Sequence, residues 1–268
     1  MTIKEALKTP EGLRSLPQNI NFLMNRMELL KALPDKSIDL ALIDHEYGIN
    51  APRLSMGTKT VKGKKYVSTA KRLRMNKGGG QMKNSTLVKL PYTWDVKTPP
   101  KEFFEEIFRV SKNQIIWGGN YFPLPPTRCW ILWDKLQALE TFSSFEMAWT
   151  SFDQPTKIYK IGCTGGRNDE EKIHPNQKPI KLYERTLVDF AKPGQIILDT
   201  GIGSGSIRIA VERQNRYGMK LQLIGCENNY NYHASEYRRF QKHSKLINNL
   251  KSQAFIPFGE SVQTEIFF

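Results

Sequence analysis

A strand-like run, a glycine-rich turn and a helical pattern follow one another between Ile196 and Arg216, and this order constrains the fold more than any other part of the chain. The turn reads DTGIGSGS, and the next apolar run, LQLIGCE, ends at Glu227. Glycines allow a sharp turn and a close approach of backbone to a ligand, and the following helix directs free N–H groups to the same place. We therefore predict a nucleotide-type pocket in which Glu227 accepts hydrogen bonds from ribose hydroxyls; a helix-capping acid is the alternative for this residue. The residues predicted to line the pocket are Asp199, Thr200, Gly201, Gly203, Ser204, Gly205, Glu227 and Asn228.

Short apolar runs alternate with amphipathic helical runs along most of the chain. SIDLALI, QIIWGG, CWILWDK, FEMAWTSF, IILDT and LQLIGCE are strand-like, and residues 20–35 look like a strand followed by an amphipathic helix. KEFFEEIFRVSK and residues 180–192, 204–216 and 229–249 have helical patterns. This alternation predicts an α/β fold with a mainly parallel sheet and helices on both faces. Whether KIYKIG adds another strand is left open.

The segment HPNQKP lies just before the helix that leads to the glycine-rich turn. Its prolines fix the backbone around a polar cluster that could hydrogen-bond a ligand carboxylate beside the turn. A dinucleotide-binding enzyme is a competing interpretation of the turn, but its fingerprint, G-x-G-x-x-G, usually opens the fold. Here the turn is G-x-G-S-G, it comes late, and Asp199 suits the ammonium of a methionine moiety better than a pyrophosphate. The segment adds His174, Asn176, Gln177, Lys178 and Pro179 to the predicted cofactor-binding residues.

Residues 51–90 carry a crowd of basic side chains with few large apolar residues and no visible period. They follow the strand-like run that ends at Asp44, so we expect a long mobile loop without regular structure beside a candidate site. The net charge of +14 favours a polyanionic partner such as nucleic acid, although a solvated basic surface is the alternative. The predicted phosphate contacts are Lys59, Lys62, Lys64, Lys65, Lys71, Arg72, Arg74 and Lys77.

The tetrapeptide Asp44-His45-Glu46-Tyr47 follows a buried strand at the edge where open α/β sheets bind ligands. Together with HPNQKP and the glycine-rich turn, it resembles the beta-group, permuted-order DNA amino-methyltransferases, which act on adenine N6 or cytosine N4. FRVSKNQIIWGGNYF, FEMAWTSF and HPNQKP-x-x-LYE are most similar to phage and prophage members. The resemblance covers roughly Asn21 to Phe240.

This resemblance implies a Rossmann-like, seven-stranded sheet in one domain over residues 1–268, with target recognition in residues 120–173 and a tail over 250–268. It implies S-adenosyl-L-methionine as methyl donor and a flipped base in double-stranded DNA as acceptor, with adenine favoured. In such enzymes an acid and a backbone carbonyl accept the hydrogens of the amino group, and an aromatic ring stacks on the extruded base. Asp44, His45, Glu46 and Tyr47 are therefore the predicted catalytic residues, within a DNA methylation or restriction-modification role.

The sequence departs from the family pattern at three places, one in the catalytic tetrad and two that concern the cofactor. The family tetrad has two central prolines, which His45 and Glu46 replace here, so the rigidity that proline gives is lost. Asn25-Arg26 stands where the family usually has Asp-Cys near the cofactor adenine, and after Glu227 the chain has Asn228-Asn229 where the family often has Ile-Asp. We hypothesise reduced or altered activity. The alternative function is a catalytically inactive homologue that acts as a DNA-binding or partner protein.

The remaining expectations concern compartment and partners. No apolar run could cross a membrane and no signal peptide is visible, so a cytoplasmic location in a bacterial or phage-infected cell is expected. Cys129, Cys163 and Cys226 are scattered, which favours buried free thiols over a disulfide or metal site. The terminus from Gln263 to Phe267 resembles a peptide that docks on sliding clamps, a frayed tail being the alternative, and a homodimer is a further possibility.

Overall fold

The computed structural model describes residues 2–49, 59–61, 64–66, 95–136, 143–162, 173–174 and 176–254. The strands are β1 Asn19–Leu23, β2 Ile38–Ile43, β3 Lys59–Val61, β4 Lys64–Tyr66, β5 Ser111–Trp117, β6 Trp130–Asp134, β7 Phe145–Thr150, β8 Lys157–Lys160, β9 Ile196–Asp199 and β10 Gln222–Glu227. The helices are α1 Ile3–Ala6, α2 Pro10–Ser15, α3 Arg26–Ala32, α4 Lys101–Val110, α5 Ile180–Phe190, α6 Ser206–Arg216 and α7 Tyr230–Ala254, and a 3-10 turn spans Gly119–Tyr121.

Eight strands form one sheet in the order β1-β10-β9-β2-β5-β7-β6-β8. Only β7 is antiparallel to its neighbours, so the predicted mainly parallel sheet is confirmed. The implied count of seven strands is wrong by one. The run KIYKIG, which the sequence left open, supplies the edge strand β8, whose backbone pairs with β6 in parallel.

Helices cover both faces of the sheet, as the alternating pattern predicts. One apolar cluster joins the sheet to α5, α6 and Phe240 of α7, and the other joins it to α2, α3 and α4. Helix α4 shows why the helices pack on the sheet. One of its faces is apolar and buried, and it consists of Phe103, Phe104, Ile107 and Val110. Burying a side chain of this size contributes about 2 kcal/mol. The helix ends at Val110, earlier than predicted, because Ser111 and Lys112 already belong to β5.

The chain leaves the middle of the sheet in two opposite directions. From β9 it passes through α6 to β10, and from β2 it passes through α4 to β5, with these two helices in different apolar clusters. Strands β2 and β9 are parallel neighbours, with Leu40 opposite Ile197 and Ala41 opposite Leu198. Their carboxyl ends therefore meet at a point where the direction of winding reverses, which is where open α/β sheets form a ligand crevice.

The segment 51–90 is described only in part. Strands β3 and β4 form an antiparallel ribbon, with Thr60 opposite Lys65, so the prediction of no regular structure is wrong at these positions. Lys62, Lys71, Arg72, Arg74 and Lys77 lie outside the described residues, as do Cys163 and the tail from 255 to 268.

The short helices α1 and α2 were not predicted. Thr2 and Glu5 form a capping box around α1, and the Thr9 hydroxyl accepts a hydrogen bond from Gly12 N at the start of α2. Cys129 and Cys226 are buried free thiols. The helices in the described parts of the chain lack the combined length and apolar character that crossing a bilayer requires. Within the same parts, no cluster of His, Cys, Asp and Glu could hold a metal ion.

Candidate active site

The acidic corner after β2 and the glycine-rich turn after β9 lie in direct contact. His45 Nε2 is 2.7 Å from Thr200 Oγ1. Gly201 is required at this contact, because a Cβ there would lie 2.6 Å from His45 Cε1. The two segments, which are 155 residues apart in sequence, thus meet at the carboxyl ends of β2 and β9, and this junction is termed the cleft, with one segment as each wall.

A buried lysine organises the side of the cleft formed by Asp44 and Tyr47. Lys178 Nζ lies 2.7 Å from Asp44 Oδ1, 2.7 Å from Glu146 Oε1 and 3.0 Å from the Tyr47 hydroxyl. The Tyr47 hydroxyl is in turn 2.8 Å from Asp44 Oδ1 and 2.6 Å from Glu146 Oε1, and its single proton can serve only one of them at a time. Among the described residues, the other carboxylate oxygen of Asp44, Oδ2, has no hydrogen-bond partner.

Lys178 and Glu146 are charged at neutral pH. Burial lowers the pKa of Lys178, but the carboxylates of Asp44 and Glu146 outweigh burial and raise it above the ordinary value. Burial raises the pKa of Glu146, but the ammonium groups of Lys178 and Lys135 outweigh it and bring this pKa to about 2. Lys135, at the end of β6, lies 2.9 Å from the second oxygen of Glu146. Two cations therefore balance the two acids.

Aromatic rings and a backbone anchor hold Tyr47 in place. Its ring stacks on Tyr121 at 5.3 Å between centroids and 16° between planes, and Tyr121 is 44% exposed. The backbone N–H groups of Tyr47 and Gly48 donate to one oxygen of the buried Asp95, at 2.7 and 2.9 Å. The corner therefore joins a partly exposed pair of aromatic rings to Asp44 through the Tyr47 hydroxyl.

His45 and Glu46, which stand in place of prolines, both contact Arg26 from the start of α3. Arg26 Nη1 lies 2.9 Å from His45 Nδ1 and 2.7 Å from Glu46 Oε2. Burial raises the pKa of Glu46, but contacts with His45 and Arg26 outweigh it and lower this pKa to about 2. Two of the three departures noted in the sequence are thus one bonded cluster in space.

The glycine-rich turn is held by buried acids that accept backbone N–H groups. Asp199 Oδ1 accepts from Gly201 N at 2.9 Å, and Glu227 accepts from Gly203 N at 3.0 Å and from Asn229 N at 2.8 Å. Burial raises the pKa of Asp199 to about 8 and also raises the pKa of Glu227. Gly205 adopts a positive φ of 74° as α6 begins.

Asn229 is the N-cap of α7, and Glu227 accepts the backbone N–H of Asn229 just before the helix begins. The side-chain oxygen of Asn229 accepts from Asn231 N at 2.9 Å and from Tyr232 N at 3.2 Å. Helix α7 also contributes Arg239, which is buried and donates to Ser204 O at 2.7 Å. Arg239 therefore supports the glycine-rich turn from α7.

The predicted polar cluster in HPNQKP divides between the two walls. The His174 ring packs against Tyr232 at 4.5 Å, and Gln177 Oε1 accepts from Ile173 N at 3.0 Å, so both stay near the turn. Lys178 instead points to the Asp44 corner. Pro179 precedes the first residue of α5, and Asn176 N donates to His174 Nδ1 at 3.3 Å.

Three residues at the corner were missed from the sequence: Glu146, Asp95 and Tyr121. Glu146 is the one acid in the aromatic strand FEMAWTSF, and a charged residue within a buried strand is a signal worth following. Asp95 and Tyr121 carry no comparable local signal, because their roles depend on contacts made across the fold.

The sheet, with its glycine-rich turn at the reversal of winding, defines a Rossmann-like α/β fold of the methyltransferase type. A family model described as DNA methylase, covering N6 and N4 methyltransferases, matches residues 58–238, about two thirds of the chain. The chain therefore belongs to this DNA methylase family.

Individual relatives are more distant. The Type II methyltransferase M2.MboI of Moraxella bovis is 25% identical over 157 residues, which is 59% of this chain and 51% of the relative. The Type II methyltransferase M.HpaI of Haemophilus parainfluenzae is 32% identical over 69 residues, which is 26% of this chain and 22% of the relative. The chain spans about half of the first relative and about a fifth of the second.

Among solved structures, the cytosine-N4-specific PvuII DNA methyltransferase superposes with a TM-score of 0.51 at 14% identity. The superposition covers 87% of this chain and 93% of that protein. This similarity supports the fold described above.

Proposed function

We propose that this protein transfers a methyl group from S-adenosyl-L-methionine to the exocyclic amino group of a flipped base in DNA, with adenine N6 favoured over cytosine N4. The observation that carries the proposal is the contact between His45 and Thr200, which puts the Asp44 corner and the glycine-rich turn in one cleft. Membership of the DNA methylase family supports the reaction class.

The turn has the chemistry that the cofactor needs. Asp199 is buried, and its raised pKa of about 8 marks a carboxylate that lacks sufficient positive charge around it. An ammonium group, such as that of the methionine moiety, would supply this charge. Glu227 is the proposed ribose ligand, and His174, Asn176 and Gln177 are the proposed neighbours of the carboxylate end. When bound, S-adenosyl-L-methionine supplies an electrophilic methyl group.

The corner has the chemistry that the acceptor base needs. The amino nitrogen of adenine or cytosine is a weak nucleophile, because its lone pair is delocalised into the ring. Asp44 Oδ2 is open to accept one amino hydrogen, and the backbone carbonyl of His45 is the proposed acceptor for the other. As positive charge develops on the nitrogen, the Asp44 carboxylate stabilises it and takes the departing proton at Oδ2.

Lys178 and Tyr47 are proposed to fix the orientation of Asp44 rather than to bind the cofactor. Both contact Oδ1, so the carboxylate cannot rotate without breaking two hydrogen bonds. The rings of Tyr47 and Tyr121 are the proposed stacking surface for the flipped base, which offsets part of the cost of removing it from the duplex.

Double-stranded DNA is the proposed partner, supported by the net charge of +14 and by the basic ribbon of β3 and β4 that follows the Asp44 corner in sequence. Lysines and arginines of residues 51–90 are proposed to contact phosphates, which makes the affinity depend on salt. Because the corner precedes the glycine-rich turn along the chain, we assign the protein to the permuted, beta-group order. Docking of residues 263–267 on a sliding clamp is a separate proposal, tested by deleting the tail and measuring clamp affinity.

Two measurements test the function. Calorimetry with S-adenosyl-L-methionine should show binding, and labelled-methyl transfer to unmodified bacterial DNA should show turnover. Digestion of the product and mass spectrometry of the nucleosides then separate N6-methyladenine from N4-methylcytosine. Asp44→Asn should abolish transfer while Glu102→Gln, at an exposed acid paired with Lys31, should not.

Each outcome has a distinct meaning. Cofactor binding with Asp44-dependent transfer supports the proposal. DNA binding without cofactor binding or transfer would overturn it in favour of the inactive, DNA-binding homologue.

A further inference from the structure

Four residues from three parts of the chain form a continuous set of polar contacts between the two walls of the cleft. Glu46 and His45 both contact Arg26, and His45 contacts Thr200. Arg26 begins α3, His45 and Glu46 follow β2, and Thr200 follows β9. The contacts therefore tie together the elements that carry the acceptor corner and the proposed cofactor turn.

The directions of these hydrogen bonds can be assigned from chemistry. A guanidinium group only donates, so His45 Nδ1 accepts from Arg26 at 2.9 Å. The proton of a neutral imidazole then lies on Nε2, which donates to Thr200 Oγ1 at 2.7 Å. Glu46 lies 3.5 Å from the same Nδ1, farther than Arg26 does. Burial lowers the pKa of His45, which agrees with the neutral form.

Packing fixes the positions of the two central groups. The rings of His45 and Phe103 are nearly perpendicular, with 4.8 Å between their centroids. The Arg26 guanidinium carbon lies 5.0 Å from the centre of the Phe103 ring. Phe103 is fully buried on α4. On the opposite side, Gly201 leaves just enough room for the imidazole. The charges in this cluster are also balanced, because the Arg26 guanidinium pairs with the Glu46 carboxylate and the imidazole of His45 is neutral.

We propose that Arg26 is a positioning residue for methyl transfer, and that it acts by holding the His45 tautomer that bonds to Thr200. In this proposal Arg26 acts through its contacts with His45 and Glu46, not through a contact of its own with the base or the cofactor. It sets the separation between Asp44 and the glycine-rich turn, and hence between the amino group and the methyl donor. The inference rests on the proposed function, since it assigns a role within the same reaction.

The test compares Arg26→Met, Arg26→Lys, Glu46→Gln and the double variant Arg26→Met/Glu46→Gln. Arg26→Met should lower kcat by about 10- to 100-fold, the size expected from a small misplacement of reacting groups, with the Kd for S-adenosyl-L-methionine within about threefold of wild type. The kcat of the double variant should be no lower than that of Arg26→Met, because the effects of substituting residues that act as one unit do not add. Arg26→Lys should recover part of the rate.

An exposed ion pair provides the matched control. Lys31 and Glu102 lie 3.0 Å apart at the surface, and Lys31→Met/Glu102→Gln removes an ion pair without touching the cleft. Its kcat should equal that of the wild type. Nitrogen-15 NMR of the His45 side chain adds a readout independent of activity: Nδ1 should be unprotonated in the wild type, and Arg26→Met should change the tautomer ratio.

The outcomes separate this inference from the proposed function. If the wild type transfers methyl groups and Arg26→Met does so equally fast, or if Nδ1 carries the proton, the positioning role is overturned. Loss of cofactor affinity in step with kcat would also overturn it, because Arg26 would then act on binding. If the wild type shows no methyl transfer, the proposed function fails, and the positioning role of Arg26 fails with it. The NMR result still decides whether Arg26, His45 and Thr200 form the proposed hydrogen-bonded unit.

Discussion

The ammonium group of Lys178 lies 2.7 Å from a carboxylate oxygen of Asp44, although 134 residues separate the two in sequence. Lys178 is 5% exposed and has Glu146 as a second acidic partner at the same distance. A charge this deeply buried is tolerated only when it is paired, so each member of the cluster depends on the others. The orientation of Asp44 is therefore set by residues from β7 and from the segment before α5.

Lys178→Met should lower the free energy of unfolding by about 3–5 kcal/mol, because it leaves two buried carboxylates without their shared cation. Urea denaturation followed by circular dichroism measures the loss. Lys181→Met, at an exposed lysine on the next helix, is the control and should stay within about 0.5 kcal/mol of wild type. Adding Glu146→Gln to Lys178→Met should recover part of the stability. Equal stability of the two lysine variants would contradict the arrangement.

Binding of S-adenosyl-L-methionine near pH 7 should release a proton from Asp199. Burial raises the pKa of this group to about 8, so it is mostly protonated in the free protein, and an ammonium ligand favours its ionised form. Calorimetry in buffers with different ionisation enthalpies measures the release, which should be up to about one proton. Asp199→Asn should bind more weakly and release none, whereas Asp153→Asn should behave as wild type. Binding enthalpies that do not vary with buffer would refute the assignment.

The raised pKa of Asp199 also predicts how the free energy of unfolding depends on pH. A carboxyl whose pKa rises from 3.8 to about 8 on folding stabilises the protein fully below its unfolded pKa. That contribution is lost as the pH rises through the folded value. The ligand-free wild type should therefore lose stability between about pH 4 and pH 8 relative to Asp199→Asn, as measured by urea denaturation across this range. Parallel pH profiles for the two proteins would contradict the prediction.

Gly201→Ala should break the link between the two walls of the cleft. The added Cβ would lie 2.6 Å from His45 Cε1, and His45 cannot retreat because Phe103 backs its ring. Overpacking of this kind costs about 1–3 kcal/mol, which thermal or urea unfolding can measure. Gly162→Ala is the control, since a Cβ there meets nothing within 4 Å among the described residues. If Gly201→Ala were as stable and as active as Gly162→Ala, the contact between the glycine-rich turn and His45 would be contradicted.

Local patterns predicted what depends on local structure. The run IILDT and the glycines after it define β9 and the turn, and the apolar face of KEFFEEIF defines α4, within a few residues. The small helices at the N-terminus could have been found as well, because Thr2 and Glu5 have the spacing of a capping box and Pro10 follows a capping Thr9.

Long side chains at the site could not be placed from the sequence. Lys178 lies in a segment that suits the cofactor, yet its four-carbon stem carries the ammonium to the opposite wall. Likewise Arg26 was noted only as an unexpected residue, since nothing local shows that it meets Glu46, 20 positions later. Such contacts depend on the order of the parallel strands, which places the carboxyl ends of β1, β9 and β2 along the same side of the sheet.

Installing the family's prolines should lower activity, not raise it. The sequence alone suggests that His45→Pro/Glu46→Pro would restore rigidity to the acidic corner. In the structure these residues are the partners of Arg26, and His45 is the bond to Thr200. The double proline variant would leave a partly buried guanidinium without its carboxylate and would remove the link to the turn, so we expect slower methyl transfer and a lower free energy of unfolding. Adding Arg26→Ala should recover stability, because it removes the unpaired charge. Faster transfer by the double proline variant alone would show that the absent prolines limit the enzyme, and that the cluster of Arg26, His45 and Glu46 does not replace them.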